Sequence, residues 1–181
     1  MLIALHGKAG AGKTTVSKIW ANEFGFQPTS FAKALKESAA IKFGFPTYLA
    51  YSQDGKKTVV DPWGITVGEI LQREGTEATR GYWGDDFWIK RWAGYAMKLM
   101  AMDSDVVVED VRFDNEAEAV HELGGTVVHI VRPGHVEDGR NPNHASEQPI
   151  SPHLIDITFM NNGSLSTLET WARTYAQGWA K

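Results

Sequence analysis

The chain has 181 residues, 43% hydrophobic and 22% charged, a composition that excludes a disordered or fibrous protein and fits one globular domain. Its formal charge is −4 and no basic run exceeds two residues (Lys56-Lys57, Lys90-Arg91), so a stable complex with nucleic acid, gripped through its phosphates, is not expected. Cysteine is absent, which excludes disulfides, thiol nucleophiles and thiolate metal sites, and no stretch has the apolar length of a membrane span, so a cytoplasmic location is expected.

Leu2 to Leu5 reads as a short buried strand entering a glycine-rich turn; it is too short for a signal peptide. From Lys13 the apolar residues Val16, Trp20 and Phe24 recur every four positions, which predicts an amphipathic helix ended by Phe24-Gly25-Phe26-Gln27-Pro28. A second helix is expected over Ala32 to Lys42, opened by Ser30 as a cap, followed by a loop through Pro62. Thr66 caps a helix to about Arg80, with Glu69 at the capping-box position. Asp85 caps another, striped by Trp88, Trp92, Tyr95, Leu99 and Met102.

Asp105 to Asp110 reads as a buried strand and Asp114 as the cap of a short helix ending at Gly124-Gly125. Thr126 to Val131 is a further strand. Residues 133–152 are proline-rich without periodicity and read as a surface loop. Ile155 to Met160 is a last strand, and Ser164 caps a helix to about Trp179. Strands alternating with helices imply an α/β fold: a mostly parallel sheet with helices on both faces, here as one domain over residues 1–181 with no second core.

Gly7-Lys8-Ala9-Gly10-Ala11-Gly12-Lys13-Thr14 matches G-x-x-x-x-G-K-[ST] at every fixed position, between an apolar strand and an amphipathic helix. Glycines let backbone N–H groups converge on phosphate oxygens, the helix N-terminus adds positive potential, Lys13 adds a charge and the Thr14 hydroxyl can ligate Mg²⁺. A nucleoside triphosphate is the implied ligand. Asp61-Pro62-Trp63-Gly64 matches the D-x-x-G of switch GTPases, but the chain has no N-K-x-D to read guanine. A small-molecule kinase, with a second substrate opposite the loop, is what remains.

Two more stretches carry chemistry. Leu71 to Arg80 places Gln72, Thr76 and Arg80 at steps of four, on one helical face, with Gly75 in a position to admit a ligand. Glu109-Asp110-Val111-Arg112 ends a buried strand with two carboxylates and a guanidinium, where ligands bind in open α/β sheets. Alternation on a strand lets only one of Glu109 and Asp110 readily face a ligand. Trp88 and Trp92 lie on an amphipathic stripe that favours core packing, and Asp85-Asp86 reads as an N-cap rather than a catalytic pair.

The chain resembles the bacteriophage deoxynucleoside monophosphate kinases. The likeness runs through the phosphate loop, S-F-A-x-x-L-K at Ser30–Lys36, L-Q-x-x-G-T-E-x-x-R at Leu71–Arg80 and D-x-F-W-I at Asp85–Ile89. It continues through E-D-V-R-F-D-N-E-A-E-A at Glu109–Ala119, G-G-T-V-V-H-I-V-R-P ending at Pro133, H-A-S-E at His144–Glu147 and I-T-F-M-N-N-G-S-L at Ile157–Leu165, failing over about residues 44–64.

The resemblance implies a three-layer P-loop kinase fold with a lid and ATP- and Mg²⁺-dependent phosphorylation of deoxynucleoside 5′-monophosphates, in a host cytoplasm if the chain is phage-encoded. It implies that Gly7, Ala9, Gly10, Ala11, Gly12, Lys13, Thr14, Thr15 and Arg132 bind ATP, with Asn161 or Asn162 near the adenine. Thr14 and Asp110 hold Mg²⁺, and Lys13, Asp110 and Arg112 act at the transferring phosphoryl group. The acceptor region, about residues 30–92, supplies Phe31, Lys36, Gln72, Thr76, Arg80 and Trp88: Lys36 and Arg80 for the acceptor phosphate, Gln72 for its base, and Trp88 or another tryptophan of that helix to stack on it. The lid, about 132–152, carries Arg132, Arg140, His144 and Glu147. A homodimer is left open. The rival readings are a P-loop kinase acting on a modified nucleotide within DNA and a non-catalytic nucleotide-binding module.

Overall fold

The apolar run at the start of the chain becomes the centre of a sheet. In a computed structural model that describes residues 1–134 and 148–178, β1 (Leu2–His6) is buried at all five positions. Then come α1 (Lys13–Phe24), β2 (Gln27–Thr29), α2 (Lys33–Phe43), a 3₁₀ turn at Thr47–Tyr51, α3 (Gln53–Lys56) and the two-residue strands β3 (Val59–Val60) and β4 (Ile65–Thr66). α4 (Val67–Gln72), a π-helical stretch at Arg73–Arg80, α5 (Gly81–Trp83) and α6 (Phe87–Ala101) follow. β5 (Val106–Val111), α7 (Asp114–Glu122), β6 (Thr126–Val131), a 3₁₀ turn at Pro152–Leu154, β7 (Ile157–Met160) and α8 (Leu165–Gln177) complete the described chain. No helix among the described residues is long and apolar enough to cross a membrane.

The chain divides into two compact units, Met1–Ser30 with Ala93–Lys181, and Phe31–Trp92. The first holds a five-stranded sheet in the order β2-β5-β1-β6-β7, with every neighbouring pair parallel. α1 and α8 pack together on one face, over Ile3, Leu5, Val107, Val128 and Ile130, while α7 packs on β1 and β6. Trp20 of α1 is fully buried and its indole N–H donates to the Ala172 carbonyl of α8 at 2.8 Å, so the largest core side chain also satisfies its one polar atom. Phe159, Trp171 and Tyr175 stack beside it, and burial pushes the Tyr175 phenol up to about 12. Between Ala4↔Val108 and His6↔Val111 the register of β1 on β5 slips, giving β5 one extra residue at Glu109-Asp110.

The second unit has a hydrophobic cluster of its own: Ala39, Ala40, Phe45, Ala50, Val60, Val67 and Ile70. Its members come one or two at a time from α2, the loop after it, a 3₁₀ turn, β3 and α4, too few in each for a periodicity to show. The expected loop through Pro62 contains a 3₁₀ turn, α3 and β3, and the D-x-x-G match at Asp61–Gly64 is the turn of the antiparallel β3–β4 hairpin, closed by the Gly64 N–H on the Val60 carbonyl at 3.0 Å. Thr66 and Glu69 form the expected capping box: the Glu69 N–H donates to Thr66 Oγ1 at 3.2 Å and the Thr66 N–H to Glu69 Oε2 at 2.9 Å. The Thr66 N–H and hydroxyl, both donating to Glu69 Oε2, hold its carboxyl below the ordinary range.

Elsewhere, local signals yield to tertiary ones. Ser30 does not cap α2, which starts at Lys33; its hydroxyl donates to Asp110 instead. Asp114 is the first helical residue of α7 rather than its cap, and its carboxylate accepts from the Ser151 N–H and hydroxyl, which hold it below the ordinary range. The buried Glu116 instead accepts the Arg112 and Phe113 N–H groups at 2.8 and 3.2 Å. On α6 the buried stripe is Trp88, Trp92 and Ala96, whereas Tyr95 and Met102 are exposed. Ser164 caps α8 as expected, accepting the Thr167 N–H at 3.2 Å.

Candidate active site

In the first unit, the turn after β1 needs glycine for two different reasons. Gly7 has φ 140° and a Cβ there would sit 2.3 Å from the Ile130 carbonyl oxygen; Gly12 has φ 112° and a Cβ would sit 2.7 Å from Leu168 Cδ2. Both positions disfavour L side chains through conformation, and Gly7 also through space, since the carbonyl it meets is backbone. The loop therefore wraps closely around the start of α1, with the Ala11 N–H on the Lys8 carbonyl at 3.2 Å. The Lys13 ammonium donates to the Gly7 and Lys8 carbonyls at 2.5 and 2.8 Å, which holds its charge over the loop. Thr14, on the first turn of α1, is exposed, and Arg132 Nη1 donates to the Gly10 carbonyl at 3.4 Å. Lys13 and Arg132, two of the residues assigned to ATP, thus bond to the loop backbone, while Thr14 and Thr15 follow it on the first turn of α1.

His6, at the end of β1, faces His129 across the β1–β6 pair with ring centroids 4.7 Å apart. Its Nδ1–H donates to the Val111 carbonyl at 3.0 Å. Burial holds His6 down at about 4, against that hydrogen bond, and burial together with Lys13 also lowers His129. Both shifts favour the neutral rings at pH 7, so the cationic charge near the loop comes from lysines and arginines, Lys13 and Arg132 among them.

The two carboxylates ending β5 have different partners. Glu109 Oε1 accepts from the Ser17 hydroxyl at 2.5 Å, and Ser17 is wholly buried on α1, one turn after Thr14. Asp110 Oδ2 accepts from Ser30 at the end of β2 at 2.7 Å. The hydrogen bond to the phosphate-loop helix is therefore made by Glu109, which the sequence reading left aside in favour of Asp110. Ser17 carried one signal in sequence: it is a polar residue on the apolar face of α1, beside Val16 and Trp20. No group of three or more His, Asp or Glu side chains converges as a metal centre among the described residues. Arg112 is half-buried immediately after β5. Arg140, His144 and Glu147 lie outside the described residues.

In the second unit, Gln72 and Thr76 are half-buried and Arg80 is buried, while Arg73, Glu77 and Ala78 on the other side are exposed. The expected α-helix continues past Gln72 as a wider π-helical turn, in which the Gly81 N–H reaches back five residues to the Thr76 carbonyl. Arg80 Nη1 donates to the Asp85 carbonyl at 3.1 Å, fixing the turn before α6. Gly75 meets a side chain rather than opening space for a ligand: a Cβ there would lie 2.6 Å from Leu35 Cδ2. Trp88 is buried and its indole donates to the Gly75 carbonyl at 3.0 Å, and Phe31 is buried against Trp92 at 4.4 Å between centroids. Lys36 is half-buried with its ammonium 4.5 Å over the Tyr51 ring, a contact the sequence did not foreshadow because Tyr51 lies in the stretch where the resemblance fails.

Residues 49–171 match the family model for deoxynucleotide monophosphate kinase. The chain belongs to that family. A protein of Acanthamoeba polyphaga mimivirus, provisionally described as a deoxynucleotide monophosphate kinase, is 32% identical over 176 residues, covering 91% of this chain and 90% of its own. The deoxynucleotide monophosphate kinase of Enterobacteria phage T4 is 31% identical over 111 residues, which span 61% of this chain and 44% of the phage enzyme. Among solved structures, a dephospho-CoA kinase from Campylobacter jejuni superposes with a TM-score of 0.55 at 17% identity, covering 97% of this chain and 95% of that one. That likeness shows the fold: an α/β P-loop kinase with a parallel sheet flanked by helices. Family and fold together establish a nucleotide kinase, and the phosphate loop is the part of it whose geometry is explicit.

Proposed function

We propose that the protein transfers the γ-phosphoryl group of ATP to the 5′-phosphate of a deoxynucleoside monophosphate. The observation that carries this reading is the loop Gly7–Thr14, shaped by two glycines that disfavour any side chain and overlaid by the Lys13 ammonium, in a chain of the deoxynucleotide monophosphate kinase family. Backbone N–H groups of the loop bind the β- and γ-phosphates, and Lys13 and Arg132 balance the charge that develops on the transferring group. The acceptor phosphate is ionised at neutral pH, so no strong general base is needed; alignment and charge neutralisation do the work. Arg112 follows β5 directly and adds a cation at the strand end.

The donor set fits a hard divalent cation: the exposed Thr14 hydroxyl at the start of α1 and the carboxylate pair Glu109–Asp110, all oxygen. A Mg²⁺ ion held there supplies charge neutralisation of the β- and γ-phosphates. In the second unit, Lys36 and Arg80 are the cations for the acceptor phosphate, with Gln72 and Thr76 on the same side of the helix as Arg80 for the rest of the nucleotide. Trp88, buried and hydrogen-bonded to Gly75, supports that helix from behind.

The test is ADP release from ATP with each deoxynucleoside monophosphate in turn, free and at the end of or within oligonucleotides. Turnover with one or more free monophosphates is expected. Turnover with oligonucleotides alone overturns the reading in favour of a kinase acting on nucleotides within DNA. Tight ATP binding with no turnover on any acceptor makes the protein a binding module.

A further inference from the structure

We propose that Asn161 is a positioning residue for the phosphate loop, which it holds by its backbone so that one loop N–H stays aimed at the bound phosphates. The proposal rests on the reading of Gly7–Thr14 as the ATP-binding loop. Asn161 directly follows β7, and its own N–H donates to the Val131 carbonyl at 2.7 Å, extending the β6–β7 ladder by one residue. That ladder fixes where the side chain can reach. Its amide Nδ2 donates to the Ala11 carbonyl at 2.8 Å, and the residue is only 6% exposed.

The consequence follows from the peptide plane. In a trans peptide the Ala11 carbonyl and the Gly12 N–H point in opposite directions. An amide that draws the Ala11 oxygen to one side of the loop therefore sends the Gly12 N–H to the other. The space behind the loop is filled as well: a Cβ on Gly12 would lie 3.1 Å from Asn161 Nδ2. Asn161 thus acts as a strut on the Ala11–Gly12 peptide, at a stretch where Gly10 and Gly12 both have positive φ, adding to the Ala11 N–H bond to Lys8. Preorganised donors need no reorientation when the anion arrives, which is the source of their strength. A buried amide already spent on the loop backbone acts on triphosphate, not on the base.

Dissociation constants of ATP, GTP, inorganic tripolyphosphate and a deoxynucleoside monophosphate are measured for wild type, Asn161→Ala and the near-isosteric Asn161→Asp, together with thermal unfolding. Losing one net hydrogen bond predicts that ATP, GTP and tripolyphosphate weaken together within each variant, by up to about tenfold in Asn161→Ala and by more in Asn161→Asp, whose carboxylate faces the Ala11 carbonyl and adds negative charge beside the loop. Monophosphate affinity stays within about twofold of wild type. A loss confined to ATP, with tripolyphosphate unchanged, overturns the proposal and makes Asn161 a base contact. Unchanged triphosphate affinity in a folded Asn161→Asp protein overturns it too, as does an equal loss of monophosphate affinity. If wild type binds neither ATP nor tripolyphosphate, the phosphate-loop reading itself fails, a result the variants are not needed to see.

Discussion

Exchanging each β5 carboxylate for its amide, Glu109→Gln and Asp110→Asn separately, tells which of them serves the metal. Glu109 is joined to α1 by the 2.5 Å bond from buried Ser17, while Asp110 is joined to β2 by the 2.7 Å bond from Ser30. Gln keeps an acceptor oxygen for Ser17 and loses only the charge, and a charge-assisted bond is about twice a neutral one, so the stability loss is about 1 kcal/mol or less at this half-buried position. For a chain of this size that is a fall of about 2–4 °C in Tm. The effect on a divalent cation is larger. A unit charge about 5 Å from another, at an effective dielectric constant of about 20, attracts it by about 3 kcal/mol before a doubling for the second charge and a discount for solvent. Removing an interaction of about 1.5–3 kcal/mol raises the half-saturating Mg²⁺ concentration about 10- to 100-fold. The assay is turnover against Mg²⁺ concentration at saturating nucleotides, with Tm as the control. A shift for Glu109→Gln exceeding that for Asp110→Asn is expected. Superimposable curves for Glu109→Gln and wild type, with Asp110→Asn displaced, refute the argument from Ser17 and assign the metal to Asp110.

Lys13→Ala removes a charge that donates to the Gly7 and Lys8 carbonyls of the loop, so kcat is expected to fall at least about 100-fold with only a small change in Tm; normal turnover in the folded variant would remove Lys13 from the chemistry. Arg80→Ala is expected to weaken monophosphate binding about 10- to 100-fold while ATP binding holds, and to lower Tm because its buried guanidinium fixes the Asp85 carbonyl; separate titrations of the two nucleotides check this, and equal losses would make Arg80 structural. His6 sets a pH dependence: its folded value of about 4 lies below its ordinary value of 6.5, so between those values the unfolded chain binds the proton and the folded chain does not. Stability is therefore complete above about pH 6.5 and is lost on acidification toward 4, by at most about 3 kcal/mol; urea midpoints at pH 7 and 5 should differ more for wild type than for His6→Asn, and parallel behaviour would acquit His6.

What the sequence made legible was whatever is written within one element. The phosphate loop, the Thr66–Glu69 capping box and the Ser164 cap need only neighbours in the chain, and all three stand in the structure as read. β2 escaped because three residues containing Pro28 carry no alternation, and the 44–64 stretch because a 3₁₀ turn, a four-residue helix and a two-residue strand are each shorter than any period. The π-helical turn escaped because the steps of four that unite Gln72, Thr76 and Arg80 are silent about whether the backbone bonds reach back four residues or five. The caps expected at Ser30 and Asp114 fail for one reason: each is a polar side chain whose partner lies far along the chain, at Asp110 and Ser151, where a short-range rule supplied a nearer one; the Glu109–Ser17 bond is long-range in the same way and was silent in the sequence.

The order β2-β5-β1-β6-β7 has a consequence for how the protein can change over generations. β1, which carries the phosphate loop, is ladder-bonded on both sides and buried throughout, so an insertion or slip there breaks two pairings at once. The residues that carry Lys36, Gln72 and Arg80 enter the sequence between β2, at the edge, and β5. Chain can be lengthened, trimmed or rewritten in that interval without disturbing a single strand pairing of the five-stranded sheet. Whole segments can therefore be lost or gained in that interval at little cost to the sheet, while the same change beside the phosphate loop costs two ladders.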